Sequence, residues 1–226
     1  MAEKGNTTGR TARTIAMKGG GYYSQRTRGA KDVIDNASGM LVEAADAINP
    51  PDSDRPIVLA DFGAADGGTS ESALRKCIEQ IRTRFPHNQI QVTYTDLPSN
   101  DFSALFKNLL GVGPETANTY LTDIENVFVS ACGIGFHRQL LPDASLDIGF
   151  SATAMHYISE KPCPIENHVH MVGASGETLT AYADQARQNW NDLLVARAKE
   201  LRPGGRLVML NFGIDEEGRY LGNTGG

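Results

Sequence analysis

Three cysteines in 226 residues (Cys77, Cys132 and Cys163) stand far apart, and no two are spaced Cys-x-x-Cys. That excludes a disulfide framework and a zinc ribbon, and it fits reduced thiols in a cytoplasmic protein. Long apolar runs are also missing: nothing approaches about eighteen uninterrupted apolar residues, and the amino terminus has no signal-peptide core. No membrane partner is expected. Positive charge is in deficit, with 21 Lys and Arg against 27 Asp and Glu and a formal net charge of -6. Without a basic surplus to neutralise phosphates, nucleic acid is an unfavourable partner. The first 31 residues run against that balance, with Lys4, Arg10, Arg13, Lys18, Arg26, Arg28 and Lys31. They read as a phosphate-binding arm or as a solvated terminus.

What is present is ordinary in amount, 40% hydrophobic and 21% charged, and the length suffices for one α/β core. Residues 1–16 read as a flexible tail ahead of a single domain over 17–226. A helix is predicted from about Arg28 to Ile48, with Val33, Ile34, Ala37, Met40, Leu41, Ala44, Ala45 and Ile48 as its apolar stripe. Asn49-Pro-Pro-Asp52 stops it. Strands are predicted at Ile57 to Phe62, Gln89 to Thr95, Asn126 to Ser130, Ser145 to Phe150 and Arg206 to Phe212. Helices fall between them at about 71–81, 101–110 and 178–201, the last ending at Arg202-Pro-Gly-Gly205 after a punctuated loop over 160–177. Alternating strands and helices imply a doubly wound, mostly parallel sheet. No helix follows the fifth strand, so the sheet would end on an uncovered edge and the sequence looks cut short.

The densest chemistry lies in Asp61-Phe-Gly-Ala-Ala-Asp-Gly-Gly-Thr-Ser70. A buried strand feeds a glycine-rich turn, and the turn feeds a helix carrying Ala73, Leu74, Cys77, Ile78 and Ile81 on one face. Such a unit grips nucleotide-like ligands, because glycines let the backbone approach and the helix start offers free N–H groups. Two familiar ligands are excluded. No lysine follows the glycines as a phosphate loop needs, and glycines at 63, 67 and 68 do not make Gly-x-Gly-x-x-Gly. A carboxylate at the turn's first position suits an ammonium group, which points to S-adenosylmethionine. A tight turn with no ligand is the alternative.

Further segments, in order and at matching distances, resemble the SABATH family of S-adenosylmethionine-dependent carboxyl methyltransferases. Met17-Lys-Gly-Gly20 with Tyr23 is similar to the family's opening motif. Asp61-Phe-Gly-Ala-Ala-Asp-Gly67 and Asp96-Leu-Pro-Ser-Asn-Asp-Phe102 match its two cofactor motifs. Phe136 to Pro142, Ser151 to Ser159 and Leu201-Arg-Pro-Gly-Gly205 complete the set. The resemblance covers about 17–226, the amino-terminal two thirds of a family member. It implies a Rossmann-like class I methyltransferase sheet without its last strands and most of its helical cap. It also implies a methyl ester made from a small organic acid, and it admits a homodimer.

By position, the resemblance puts Tyr23, Thr27, Asp61, Gly63, Thr69, Asp96, Leu97, Gly135 and Phe136 at the cofactor. Asp61 and Gly63 would meet its methionyl end, Asp96 its ribose hydroxyls, and Leu97 its adenine. Each has a plainer reading as well: Asp96 as a turn former, Phe136 as a core residue. Lys18, Thr153, His156 and Tyr157 fall at the acceptor. Here Tyr157 replaces a family Trp, Thr153 a Tyr, and Ala30 a Gln that helps hold the carboxylate. No catalytic dyad and no metal are expected. His168 and His170 with Glu166 form a weak metal pattern in a loop, and Cys132 reads as a small buried thiol rather than a nucleophile beside His137.

Overall fold

The computed structural model describes residues 28–49, 55–112, 118–168 and 170–219. Five strands, all parallel, lie in the order β3-β2-β1-β4-β5. They are β1 (Ile57–Phe62), β2 (Ile90–Thr95), β3 (Val127–Cys132), β4 (Leu146–Ala152) and β5 (Leu201–Leu210). The helices are α1 (Arg28–Asn36), α2 (Ser38–Ala47), α3 (Glu71–Arg84), α4 (Phe102–Leu109), α5 (Tyr120–Asp123) and α6 (Gly176–Glu200). The sheet grows from β1 through β2 to β3 on one side and through β4 to β5 on the other. The reversal of direction beside β1 opens a crevice at the carboxyl ends of the strands, where open α/β sheets bind ligands.

Apart from Asp61, β1 is apolar, and it is buried almost throughout, as a central parallel strand requires. Ala73, Leu74, Cys77, Ile78 and Ile81 of α3 are all buried, as their helical spacing predicts. Burial also pushes the Cys77 thiol up to about 12, leaving it un-ionised and inert.

Two expected elements come out differently. The long first helix is two helices broken at Ala37, because the Ser38 hydroxyl donates to the Asp35 carbonyl at 2.7 Å and competes with the backbone for it. Val33 and Met40, expected on the buried stripe, are about half exposed at 49% and 53%. At the other end, β5 starts at Leu201 rather than Arg206. Leu146 pairs with Leu201 and Ile148 with Arg206, so Arg202 to Gly205 bulge out of the ladder. Pro203 has no N–H to give and Gly204 sits at a φ of +85°, which makes a bulge the natural place for both.

The bulge is anchored by Asp147, whose side chain is 2% exposed. Its carboxylate accepts two hydrogen bonds from Arg55, one from Arg202 and one from the Val58 N–H. β1, β4 and β5 are thereby tied together at their amino ends, away from the crevice.

Candidate functional site

The turn after β1 is held from the strand beside it. The Gly63 and Ala64 N–H groups donate to the Thr95 carbonyl at 2.8 and 3.1 Å. Asp96, at the tip of β2, accepts from the Ala65 N–H with one oxygen and from the Leu97 N–H with the other, both at 2.7 Å. The Asn100 amide donates to the Ala65 carbonyl at 2.7 Å. Ala65 has a φ of +50°, which costs a residue with a Cβ, and both of its backbone polar groups are gripped by the Asp96–Phe102 motif. Asp101 then caps α4 by accepting from the Ala104 N–H.

Gly63 has a φ of +83°, and a Cβ there would overlap the Cβ of Ala154 and stand 3.7 Å from the Phe136 ring. The turn therefore touches both the loop before β4 and the loop after it. Gly135 packs on Leu97, where an added Cβ would come within 3.3 Å of Leu97 Cδ2. Thr69 is buried at the head of α3. Asp61, Gly63, Asp96, Leu97, Gly135 and Phe136 therefore gather at one end of the sheet. Tyr23, Thr27 and Lys18 lie outside the described residues.

Asp61 is 2% exposed, and its carboxyl accepts from the Ser70 hydroxyl at 2.6 Å. Burial, opposed by that hydrogen bond and reinforced by the negative charge of Asp96, pushes its pKa up to about 7. Burial also raises Asp96, against the pull of its two backbone donors. Two carboxyl groups whose charged forms are disfavoured by burial suit a ligand carrying a positive charge and hydroxyl donors. Each Asp96 oxygen still has a lone pair to accept from a hydroxyl.

After β4 the chain turns at Thr153, with a φ of +52° and its N–H on the Leu210 carbonyl at 2.7 Å. His156 and Tyr157 follow. The His156 ring lies 4.5 Å from Tyr157 and 4.8 Å from Phe212, and burial lowers its pKa, favouring the neutral imidazole. These three residues, with Met155, Trp190 and Asn189, line a cavity of about 330 Å³, and among the described residues no charged side chain stands on its wall. His137 reaches the Tyr157 carbonyl at 2.9 Å and lines the same cavity.

Among the described residues, two buried side-chain polar atoms have no hydrogen-bond partner, Thr95 Oγ1 and His156 Nδ1. Both flank the crevice, one ending β2 and the other following β4. Orphaned polar atoms on a ligand-binding rim are places for a ligand or water to be satisfied. Cys132, read as buried, is only half-buried at the end of β3, and its carbonyl takes the Asp96 N–H. The His168 ring closes on the backbone of His170.

Sequence reasoning missed Asn100, Ser70, Asn189 and Phe212. Asn100 and Ser70 sit inside quoted motifs, and their polarity next to a glycine turn was the available signal. Asn189 and Phe212 carried none, since only folding brings α6 and the end of β5 to the His156 loop.

A parallel sheet with its crevice beside the first strand, an acidic residue ending β1 and another following β2 defines a nucleoside-binding α/β protein of the methyltransferase type. The chain belongs to the SAM dependent carboxyl methyltransferase family, whose model matches residues 12–224. It is similar to loganic acid O-methyltransferase of Catharanthus roseus, 27% identical over 92% of this chain and 59% of that protein. Farnesoic acid carboxyl-O-methyltransferase of Arabidopsis thaliana is 29% identical over 67% of this chain and 44% of its own length. A structure of loganic acid methyltransferase with SAH superposes with a TM-score of 0.74 at 26% identity, covering 93% of this chain and 62% of that one. The chain thus spans less than two thirds of the length of these relatives. Among its described residues, no helix is long and apolar enough to cross a membrane.

Proposed function

We propose that this chain carries the cofactor half, and one wall of the acceptor site, of an enzyme that methylates the carboxylate of a small organic acid to give its methyl ester. The observation that carries the reading is the contact of Gly63 with Ala154. It sets the Asp61–Asp96 crevice directly beside the loop whose next residues, Met155, His156 and Tyr157, line a cavity rich in aromatic side chains. The residues present fit S-adenosylmethionine. Asp61 would take its ammonium, Gly63 leaves room where a Cβ would intrude, Thr69 closes the turn, and Asp96 would accept from the ribose hydroxyls. Leu97, Gly135 and Phe136 would flank the adenine, with Tyr23 and Thr27 contributed from the amino-terminal segment.

Bound there, the cofactor supplies a methyl group already activated on a sulfonium. The acceptor carboxylate is ionised at neutral pH, with a pKa near about 4, so no residue must remove a proton. The task of the chain is to orient the acid and exclude water, which can supply much of the rate enhancement. Tyr157, Thr153 and Lys18 would orient the carboxylate, and the rings of Tyr157, Trp190 and Phe212 would hold its apolar body.

Titration calorimetry with S-adenosylhomocysteine tests the cofactor half. Binding by the wild type should weaken about 100-fold or more in Asp96→Ala, the loss of two charge-assisted hydrogen bonds. A folded wild type that binds nothing overturns the reading for this polypeptide. A second reading is favoured by His156 alone: a neutral imidazole with an unpaired Nδ1 is placed to accept a proton, as methylation of a hydroxyl or amine would need. Product analysis separates the two, because an ester is hydrolysed in mild alkali and an N-methyl product is not. The three free cysteines support a cytoplasmic location. A homodimer is the assembly we expect, to be checked by light scattering.

A further inference from the structure

We propose that the buried pair Arg197–Glu200, at the end of α6, is a positioning element that fixes the segment 136–141 and through it sets both sides of the site. The inference rests on the methyl-transfer reading for its cofactor arm only.

Arg197 is 1% exposed and Glu200 is fully buried. The two form a two-pronged ion pair, Nε to Oε2 and Nη2 to Oε1, each at 2.7 Å. What remains of both groups is spent on backbone. Arg197 donates to the carbonyls of Phe136 at 3.0 Å and Arg138 at 2.9 Å. Glu200 accepts from the N–H groups of Leu140 and Leu141 at 2.5 and 3.1 Å. The guanidinium also lies 4.2 Å above the Phe62 ring, at the last residue of β1.

Two side chains three residues apart therefore satisfy four backbone groups of a segment that belongs to no helix or strand. A buried ion pair is a poor source of net stability, since apolar side chains of the same volume often do as well. Apolar side chains could not pair with those four backbone groups. The conformation of 136–141 is what the pair specifies, and that segment carries two residues of interest. The Phe136 ring faces the Gly63 turn and stacks against His137 with centroids 4.6 Å apart. His137 in turn holds the Tyr157 carbonyl. Two adjacent residues at the start of the segment thus touch the cofactor side and the acceptor side.

The test uses Glu200→Gln, which removes the charge and keeps the size, and Arg197→Lys, which keeps the charge and loses the fork. His137 titration by NMR is the first readout, and it needs no cofactor. Burial lowers this imidazole, with Arg197 adding to the effect and Asp192 and the Tyr157 carbonyl opposing it. Release of the segment should move it up toward an ordinary histidine. Glu200→Gln isolates that movement, because the Arg197 charge is retained. S-adenosylhomocysteine affinity is the second readout: Glu200→Gln should weaken it about tenfold, and by less than about twofold when Phe136 is already Ala. Leu74→Ala, a destabilising change in the other core, should move neither.

The proposal is overturned if folded Glu200→Gln and Arg197→Lys keep the wild-type His137 titration and the wild-type affinity. It is overturned equally if the affinity loss adds in full to that of Phe136→Ala. A wild type that does not bind S-adenosylhomocysteine removes the methyl-transfer reading, and the positioning role then stands or falls on the His137 titration. Should Glu200→Gln not fold, Glu200→Asp, which keeps the charge and shortens the reach, is judged by the same outcomes.

Discussion

On one face of the sheet, Ile57, Leu59, Ile90, Val92, Ile148 and Phe150 pack into a single core with α1 to α5. On the other face, Ala60, Phe62 and Leu146 meet Met155 and Leu193, with Phe136, Leu140 and Leu141 half-buried around them. Over β2 and β3 this second face is not apolar: Gln91 and Thr93 hydrogen-bond Ser130, and Phe128 is 49% exposed. The helix covering it leaves Trp190, Leu194 and Val195 exposed as well. The first face holds the strands in place, while the second carries the segments 136–141 and 153–158 that surround the site. Irregular segments over a thin core open at lower free energy than strands under a thick one. Site geometry on the second face therefore depends on discrete polar ties, of which Arg197–Glu200 is the most buried.

The sharpest way to break this contrast is to truncate one leucine on each face. Leu74→Ala should cost about 3–4 kcal/mol in urea unfolding, and Leu193→Ala about 2, because the thinner face can relax around the gap. Equal losses would mean the faces are packed alike.

Asp61 tests the crevice between the faces. Its folded pKa is raised from 3.8 to about 7, so the folded state holds the extra proton across that window. The stability it contributes is complete below about pH 4 and is lost as pH rises through 7, with a total on the order of 4 kcal/mol. Asp61→Asn should flatten that decline. S-adenosylhomocysteine, by bringing an ammonium to Asp61, should expel a proton at pH 6–7, read as a buffer-dependent binding enthalpy. An unchanged pH–stability curve in the variant would show that Asp61 is ionised throughout.

Gly63→Ala addresses the seam where the turn meets Ala154. Strain at positive φ plus the overlap should cost about 1–3 kcal/mol and abolish cofactor binding. Wild-type affinity in this variant would sever the link between the crevice and the β4 loop. The smallest effect is expected at Arg187–Asp184, a pair 75% and 64% exposed on α6. Arg187→Ala should change stability by less than about 0.5 kcal/mol and leave binding alone. A larger loss would show that the outer surface of α6 matters more than its burial suggests.

Much of this architecture was legible beforehand for identifiable reasons. β1 and α3 are strongly patterned, and the Asp61–Ser70 turn and the Asp96–Phe102 motif are local, so composition and spacing revealed them. Gln89 to Thr95 was legible as a strand, and Gln91 and Thr93 form its polar face. The errors fall where a particular side chain redirects the backbone, from nearby or from far along the chain. Ser38 competes for a carbonyl and splits the first helix, and Asp147 draws Arg202 alongside β4 and starts β5 five residues early.

The sequence by itself determined the order of strands and helices, the glycine turn, the two acidic residues at strand ends and the family they resemble. All of these rest on short-range patterns of burial and backbone freedom. Only the tertiary structure decided that Asp61 is buried within reach of the Asp96 charge, that Gly63 touches Ala154, and that Arg197 and Glu200, 61 and 60 residues downstream of Phe136 and Leu140 respectively, hold their segment. Those outcomes depend on distances across strands and on water removed from specific carboxylates and amides, and a linear pattern of residues encodes neither.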